Sequence, residues 1–187
     1  MHGLTRQGRD FDALARAMAD EYRVVCPDVV GRGRSDWLAD PMGYSIPGYV
    51  ADMVCLLARL DAQVVDWVGT SMGGLIGLGL AGAAAFARAM LPLRPHAGML
   101  PPQDGIRLSR LVLNDVGPRL ETSALARIGQ YVGEPGAFAS FPEAVAAMRA
   151  NSETFGPHTD AQWDHLARFV YPEQGGQWVK HYDLALA

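Results

Sequence analysis

The segment VGTSMGG, residues 68–74, joins a short apolar run, Gln63 to Val68, to a glycine- and alanine-rich run from Ser71 to about Arg88. The first run has the length and β-branched character of a buried strand, and the second has the length of a helix. A strand that turns into a helix through Gly69-Thr70-Ser71-Met72-Gly73 carries the G-x-S-x-G spacing of a nucleophile elbow. A serine at so sharp a turn adopts a strained backbone, and small residues two positions to either side let the chain bend without collision. The Ser71 hydroxyl then projects outward. Met72 falls in the first turn of the helix, where backbone N–H groups lie outside the helical ladder and can donate to an oxyanion. The plainer reading of the same letters is a glycine-rich turn capped by a serine.

The flanking sequence supplies the rest of an alternating pattern. Ser45 to Leu60 repeats Ile46, Tyr49, Val50, Met53, Val54, Leu57 and Leu60 at helical spacing, with Pro47 in the first turn. Asp10 is placed to cap a helix over residues ~10 to 19, whose apolar face (Phe11, Leu14, Ala15, Met18) should rest on a sheet. YRVVC, residues 22–26, reads as a strand entering the glycine-rich VVGRGRSD, and Arg110 to Asn114 reads as another buried strand. Strands alternating with helices imply a parallel sheet.

LPLRPHAGMLPPQDGI, residues 91–106, holds four prolines and two glycines and reads as an irregular insertion, bounded at about 89–107. Beyond Pro118 the pattern is helical alone, with capping-box spacing at Ser140–Glu143 and Thr159–Gln162. The expected organisation is a core over 1–117 and a helical cap over 118–187.

Composition excludes several function classes. The 187 residues are 49% apolar, enough for a real core, and carry a net charge of −4 with no long Lys or Arg run, which argues against nucleic acid. Cys26 and Cys55 lie in apolar patterns and read as two buried thiols, hence a reducing, cytoplasmic setting. The longest apolar stretch, Leu75 to Ala87, is shorter than the roughly 20 residues of a membrane span, and no basic-then-apolar signal segment opens the sequence. No residues cluster at metal spacing, and the chemistry proposed for Ser71 needs no cofactor. The expected partner is a small ester-like molecule.

At the opposite end of the sequence, His2-Gly3-Leu4 precedes the first helix. In a strand-elbow-helix architecture, a loop beginning His-Gly supplies a second oxyanion donor from the residue after the glycine, here Leu4. Through HGLTRQGRDF, VVCPDVVGRGRSDW, VGTSMGG and LVLNDVGP, residues 2–118, the chain resembles the α/β-hydrolase superfamily. That resemblance implies an α/β fold, a mostly parallel sheet flanked by helices with a helical cap. It also implies a serine, an acid and a histidine in that order along the chain. Serine rather than aspartate at position 71 points to ester or related acyl chemistry. Measured against the family, the sequence begins at the end of the third strand and stops at KHYDLALA, where the cap returns to the sheet. The expectation is therefore a fragment, incomplete at both ends, weakly active, with unpaired sheet edges that favour self-association.

The family's usual acid and histidine follow its last strands, which are not visible here. Asp115, after the strand Arg110 to Asn114, is the candidate acid, because some members carry theirs there; capping the turn that follows is the alternative. His2 is expected to support the oxyanion loop together with Gly3, and His96 lies in the insertion. His158, His165 and His181 fall in the cap, where solvated or core roles are usual. His181 follows Ser71 and Asp115 in chain order and is the candidate base. The competing function is a catalytically inactive, hydrolase-like binding protein that keeps the pocket without the triad. Arg32, Arg34 and Asp36 read as a salt-bridged loop or as contacts for an anionic substrate. Trp37 is expected at the pocket mouth, and Trp163, Phe169, Tyr171 and Trp178 either line an apolar site or pack the cap.

Overall fold

The computed structural model describes residues 1–90, 106–152 and 155–187. The helices in chain order are α1 (Asp12–Met18), α2 (Ile46–Arg59), α3 (Met72–Met90), α4 (Thr122–Gly129), α5 (Phe141–Asn151) and α6 (Asp160–Val170). The strands are β1 (Val64–Thr70), β2 (Arg107–Asn114), β3 (Ala137–Phe138), β4 (Glu173–Gln174) and β5 (Gln177–Val179). By contact the chain divides into two units, one of Met1, Gly3 and Met42–Leu120, the other of His2, Leu4–Pro41 and Glu121–Ala187.

The first unit is built on the parallel pair β1 and β2, in register from Val64↔Arg107 to Thr70↔Asn114 with one shift between Val65 and Asp66. Both strands run longer than the apolar stretches that predict them. Ser45 caps α2 by accepting from the Gly48 N–H at 3.3 Å, and Pro47 sits in the first turn, where its missing N–H leaves nothing unpaired. Of the predicted apolar face, Tyr49, Met53 and Leu57 of α2 join Trp67, Met72, Ile76 and Leu80 in the core of this unit, whereas Val54 is exposed. Met1 continues the pairing on the edge of β1 away from β2. Its amino group donates to the Val68 carbonyl at 2.6 Å, and Thr70 N–H donates to the Met1 carbonyl at 3.0 Å. Of the predicted insertion, residues 89–90 are helical and residue 107 opens β2, whereas 91–105, His96 among them, lie outside the described residues.

In the second unit three expectations are corrected. Asp10 does not cap a helix: a 3-10 turn over Gly8–Phe11 precedes α1, and the Asp10 carboxylate instead takes a two-pronged bond from Arg6 at 2.7 Å on each oxygen. Arginine's planar fork matches a carboxylate better than one backbone N–H does. YRVVC joins no ladder among the described residues, and Tyr22, Val24 and Val25 stay 37–44% exposed. A β-branched run becomes a strand only where a neighbour offers a ladder. The cap segment is not helical alone. It carries a three-stranded antiparallel sheet in the order β3-β5-β4, closed by Gly175 and Gly176 at φ 59° and 80°. Both centre positions of that two-residue hairpin need positive φ, which glycine supplies without strain. Its strands are too short to show a period of two.

The helices of this unit bury Ala144, Val145 and Met148 of α5 against Trp163, Ala167 and Val170 of α6, with Tyr171. Thr159 and Gln162 form the complete capping box at the start of α6. Ser140 accepts from the Glu143 N–H, but the Glu143 carboxylate bonds the N–H of Ala139, so that second box is half made. Cys26 is half-buried and Cys55 exposed, which corrects the expectation of two buried thiols. No helix among the described residues is long and apolar enough to cross a membrane.

Candidate active site

Ser71 stands between the last residue of β1 and the first of α3 with φ 50°, one of three non-glycine residues of positive φ among those described. The left-handed region is disfavoured for a serine by roughly 1–2 kcal/mol, so the surrounding structure must enforce it. The restraints are visible. Ser71 N–H donates to the Asn114 carbonyl at 2.8 Å, and the Ser71 carbonyl accepts from the N–H groups of Gly74 and Leu75 at 2.8 and 3.2 Å. A Cβ on Gly69 would lie 2.4 Å from the Gly73 carbonyl, so the glycines of the motif permit the close pass of strand and helix. The Ser71 hydroxyl, half-buried, has no hydrogen-bond partner among the described residues.

One brace of this elbow escapes motif reading. The buried indole of Trp67 donates to the Gly73 carbonyl at 2.9 Å, tying β1 to the first turn of α3 across the serine. Its ring lies where a Cβ on Gly77 would fall, 2.6 Å from the indole nitrogen. A tryptophan four residues before the serine, with a glycine six after it, is the signal in the sequence.

Asp115 leaves β2 as Ser71 leaves β1. It is exposed and also has positive φ, 53°, and the two residues follow the last register pair, Thr70↔Asn114, on adjacent parallel strands. Asn114 Nδ2 bonds Thr70 Oγ1 at 3.1 Å just before them. The fold therefore brings the predicted nucleophile and the predicted acid to neighbouring strand ends.

His2, Leu4 and His181 belong to the second unit. His2 is fully buried, and its Nε2 accepts from the Val29 N–H at 2.9 Å, which fixes the neutral tautomer protonated on Nδ1. Arg32, also fully buried, donates from Nε to the Leu4 carbonyl and from a terminal nitrogen to the Val30 carbonyl, both at 2.8 Å. From this buried position Arg32 braces the backbone at Leu4 and at Val30. Asp28 organises the same turn, accepting from the N–H groups of Gly8 and Arg34 at 2.7 and 2.9 Å. The Asp36 carbonyl accepts from Gly31 N–H, and Trp37 is 54% exposed.

The remaining histidines have local roles. His158 packs on Trp163 at 4.9 Å between ring centroids, and His165 meets Phe169 edge-on. His181 donates its backbone N–H to Val170 and accepts from Gly33 N–H at its carbonyl. Trp163 and Tyr171 are core residues, and Trp178 and Phe141, their rings tilted and 4.7 Å apart, pack against that core, so the aromatic residues of this segment chiefly pack it.

A cavity of about 80 Å³ lies within the second unit, with Thr5, Arg6, Tyr171, Lys180 and Tyr182 on its wall. Lys180 Nζ donates to the carbonyls of Tyr131 and Glu134 at 3.2 and 2.6 Å. Burial holds its pKa below the usual lysine range, and Glu134 partly opposes that. Burial, reinforced by the phenols of Tyr171 and Tyr131, pushes Tyr182 up to about 12. Because an unfolded tyrosine ionises near pH 10, this raised value contributes stability that is intact below about pH 10 and is lost as pH rises through about 12. Phenolate absorbance should therefore rise in two stages, the later one accompanied by unfolding. A single stage near pH 10 in the folded protein would contradict it.

Comparison with known proteins agrees with the fold. The profile of the alpha/beta hydrolase fold matches residues 1–163. A 3-hydroxybutyrate-oligomer hydrolase of Cupriavidus necator is 52% identical over 190 residues, covering 100% of this chain and 58% of that protein. Lipase LipV of Mycobacterium tuberculosis is 34% identical over 112 residues, 60% of this chain and 40% of its own. An alpha/beta hydrolase of known structure from Novosphingobium aromaticivorans superposes with a TM-score of 0.83 at 33% identity, over 100% of this chain and 59% of that one. The chain thus spans less than two thirds of the length of each of these proteins.

Proposed function

The chain belongs to the alpha/beta hydrolase fold family, and from that premise we propose that it serves as a serine hydrolase of carboxylic esters, acting on short oligoesters of a 3-hydroxy acid. The observation that carries the reading is Ser71 held at φ 50° between β1 and α3, with glycine at both flanking motif positions. The substrate class follows from the 52% identity, over the whole chain, to a 3-hydroxybutyrate-oligomer hydrolase.

In this reading Ser71 Oγ attacks the ester carbonyl carbon while its proton passes to a base. Backbone N–H groups of Met72 and Leu4 hold the developing negative oxygen. Collapse of the tetrahedral adduct breaks the carbon–alkoxy bond, and the leaving alkoxide takes the proton from the base. Water then repeats the sequence on the acyl-serine and releases the acid. Within this chain Asp115 is the candidate acid and His181 the candidate base, since they follow Ser71 in the order that the family uses. The roles of His2 and Gly3 are to support the loop that carries Leu4.

The absence of a hydrogen-bond partner for the Ser71 hydroxyl among the described residues favours a second reading, a binding protein that holds such esters without turnover. A fluorophosphonate probe separates the two. Covalent labelling at Ser71, mapped by mass spectrometry, is expected for the hydrolase. A folded, unlabelled protein that still binds the oligoester would establish the second reading.

A further inference from the structure

The cavity of the second unit has a charge character that ester hydrolysis does not require. Two cationic side chains, Arg6 and Lys180, lie on its wall, and no carboxylate does among the described residues. Arg6 is already matched by Asp10 at 2.7 Å, so its charge is balanced locally. Lys180 makes no such close ion pair among the described residues: its two hydrogen bonds go to the backbone carbonyls of Tyr131 and Glu134, the Glu134 charge acts on it from further off, and its ammonium stands 5.6 Å from the centroid of the Tyr182 ring. An ammonium has three donors, and these carbonyls take two of them.

The rest of the wall suits the same kind of guest. Tyr171 and Tyr182 both titrate above the usual tyrosine range because of burial, so their hydroxyls keep their protons and can donate to an anion. Met148 and Phe155 give an apolar side against which a short alkyl chain can lie. A buried water needs roughly 10–15 Å³ of such space, so a cavity of about 80 Å³ takes on the order of half a dozen non-hydrogen atoms. That is one terminal hydroxyacid unit rather than a polymer. Thr5 and Arg6, also on the wall, follow directly on Leu4 in the chain.

We propose that this cavity binds the free carboxylate end of a short hydroxyacid oligoester, with Lys180 as the residue that meets the charge. The proposal rests on the ester-hydrolase reading for its substrate, and it adds what that reading lacks, a reason for the protein to prefer oligomers with an acid terminus over neutral esters of the same length. Charge-assisted hydrogen bonds to a partly desolvated carboxylate are the stronger kind, so the preference should be large.

The test is binding rather than turnover, which separates it from the chemistry. The 3-hydroxybutyrate trimer, as free acid and as methyl ester, is titrated onto the Ser71→Ala variant by calorimetry. The free acid is expected to bind at least ~10-fold more tightly than the methyl ester. Adding Lys180→Gln keeps amide donors for the two backbone carbonyls but removes the charge, and is expected to shrink that ratio to less than ~2-fold. Equal affinity for acid and methyl ester, or a ratio that survives Lys180→Gln, overturns the proposal. Because the first comparison needs no change at Lys180, the result stands even if that variant does not fold. Failure of the hydrolase reading would show elsewhere, as absence of fluorophosphonate labelling in the unaltered protein.

Discussion

Replacing Ser71 with alanine is expected to lower kcat/KM for oligoester hydrolysis by at least roughly 10⁴-fold and to abolish fluorophosphonate labelling, with KM changed little. In a comparable serine enzyme, loss of the nucleophile removes about as much rate as loss of the whole triad, and only the oxyanion and binding contributions survive. A fall of roughly 10⁴ corresponds to about 5.5 kcal/mol of lost transition-state stabilisation, far more than a serine serving only as a turn residue could account for. Stability should behave oppositely to activity. Alanine suffers the same backbone strain as serine at φ 50°, so Ser71→Ala should melt close to the unaltered protein. Glycine relieves that strain, and Ser71→Gly should be inactive yet more stable by about 1 kcal/mol. An inactive alanine variant with a retained melting temperature, beside a stabilised glycine variant, would mark Ser71 as a residue strained for the sake of its chemistry. Retained hydrolysis in Ser71→Ala would sink the serine-hydrolase reading.

The elements that sequence revealed and those that it hid differ in a physical way. Residues 45–60 were legible because a helix end and an apolar stripe are local properties: Ser45, Pro47 and the spacing Tyr49–Met53–Leu57 lie within a few turns of one another. The elbow was legible for a similar reason, since Gly69, Ser71 and Gly73 encode one backbone bend. YRVVC misled because β-branched composition describes a surface that needs a neighbour, and a single run of letters does not say whether one is there. The hairpin around Gly175-Gly176 was hidden by strands of two and three residues, too short for alternation to register. Supports that act at long range were invisible as well. Arg32 reaches back 28 residues to the Leu4 carbonyl, and Lys180 spans 46 and 49 residues to its two carbonyls. Neither contact is written in the letters around these residues, because each depends on distant segments being brought together. Trp67 was an ordinary apolar letter in a strand until its indole met Gly73. The members of a site that take part in a local bend are thus readable, while those that hold the bend in place are not.

The largest loss of stability among single substitutions at this site is expected from Gly69→Ala. A Cβ at this position would stand 2.4 Å from both the carbonyl carbon and the oxygen of Gly73, and 2.5 Å from the nitrogen of Gly74. All three obstacles are backbone in the first turn of α3, so no side chain can swing aside, and the strand and helix themselves must separate. Separation pulls the Gly73 carbonyl from the Trp67 indole and disturbs the bond from Ser71 N–H to Asn114, so the overpacking penalty of about 1–3 kcal/mol comes with lost hydrogen bonds of about 1 kcal/mol each. The expected sum, about 3–5 kcal/mol, would lower the melting temperature by on the order of 10 °C in a chain of this size. Gly82→Ala, in the same helix, is the matched control. Nothing among the described residues lies within 4 Å of its added Cβ, so the change should leave stability unaltered or raise it by up to ~1 kcal/mol through helix propensity. If Gly69→Ala melts with Gly82→Ala, strand and helix are not in the close contact described, and the geometry that presents Ser71 fails with it. If it melts well below and also loses activity out of proportion to the folded fraction, the separation of β1 from α3 has moved the serine, as the shared hydrogen bonds require.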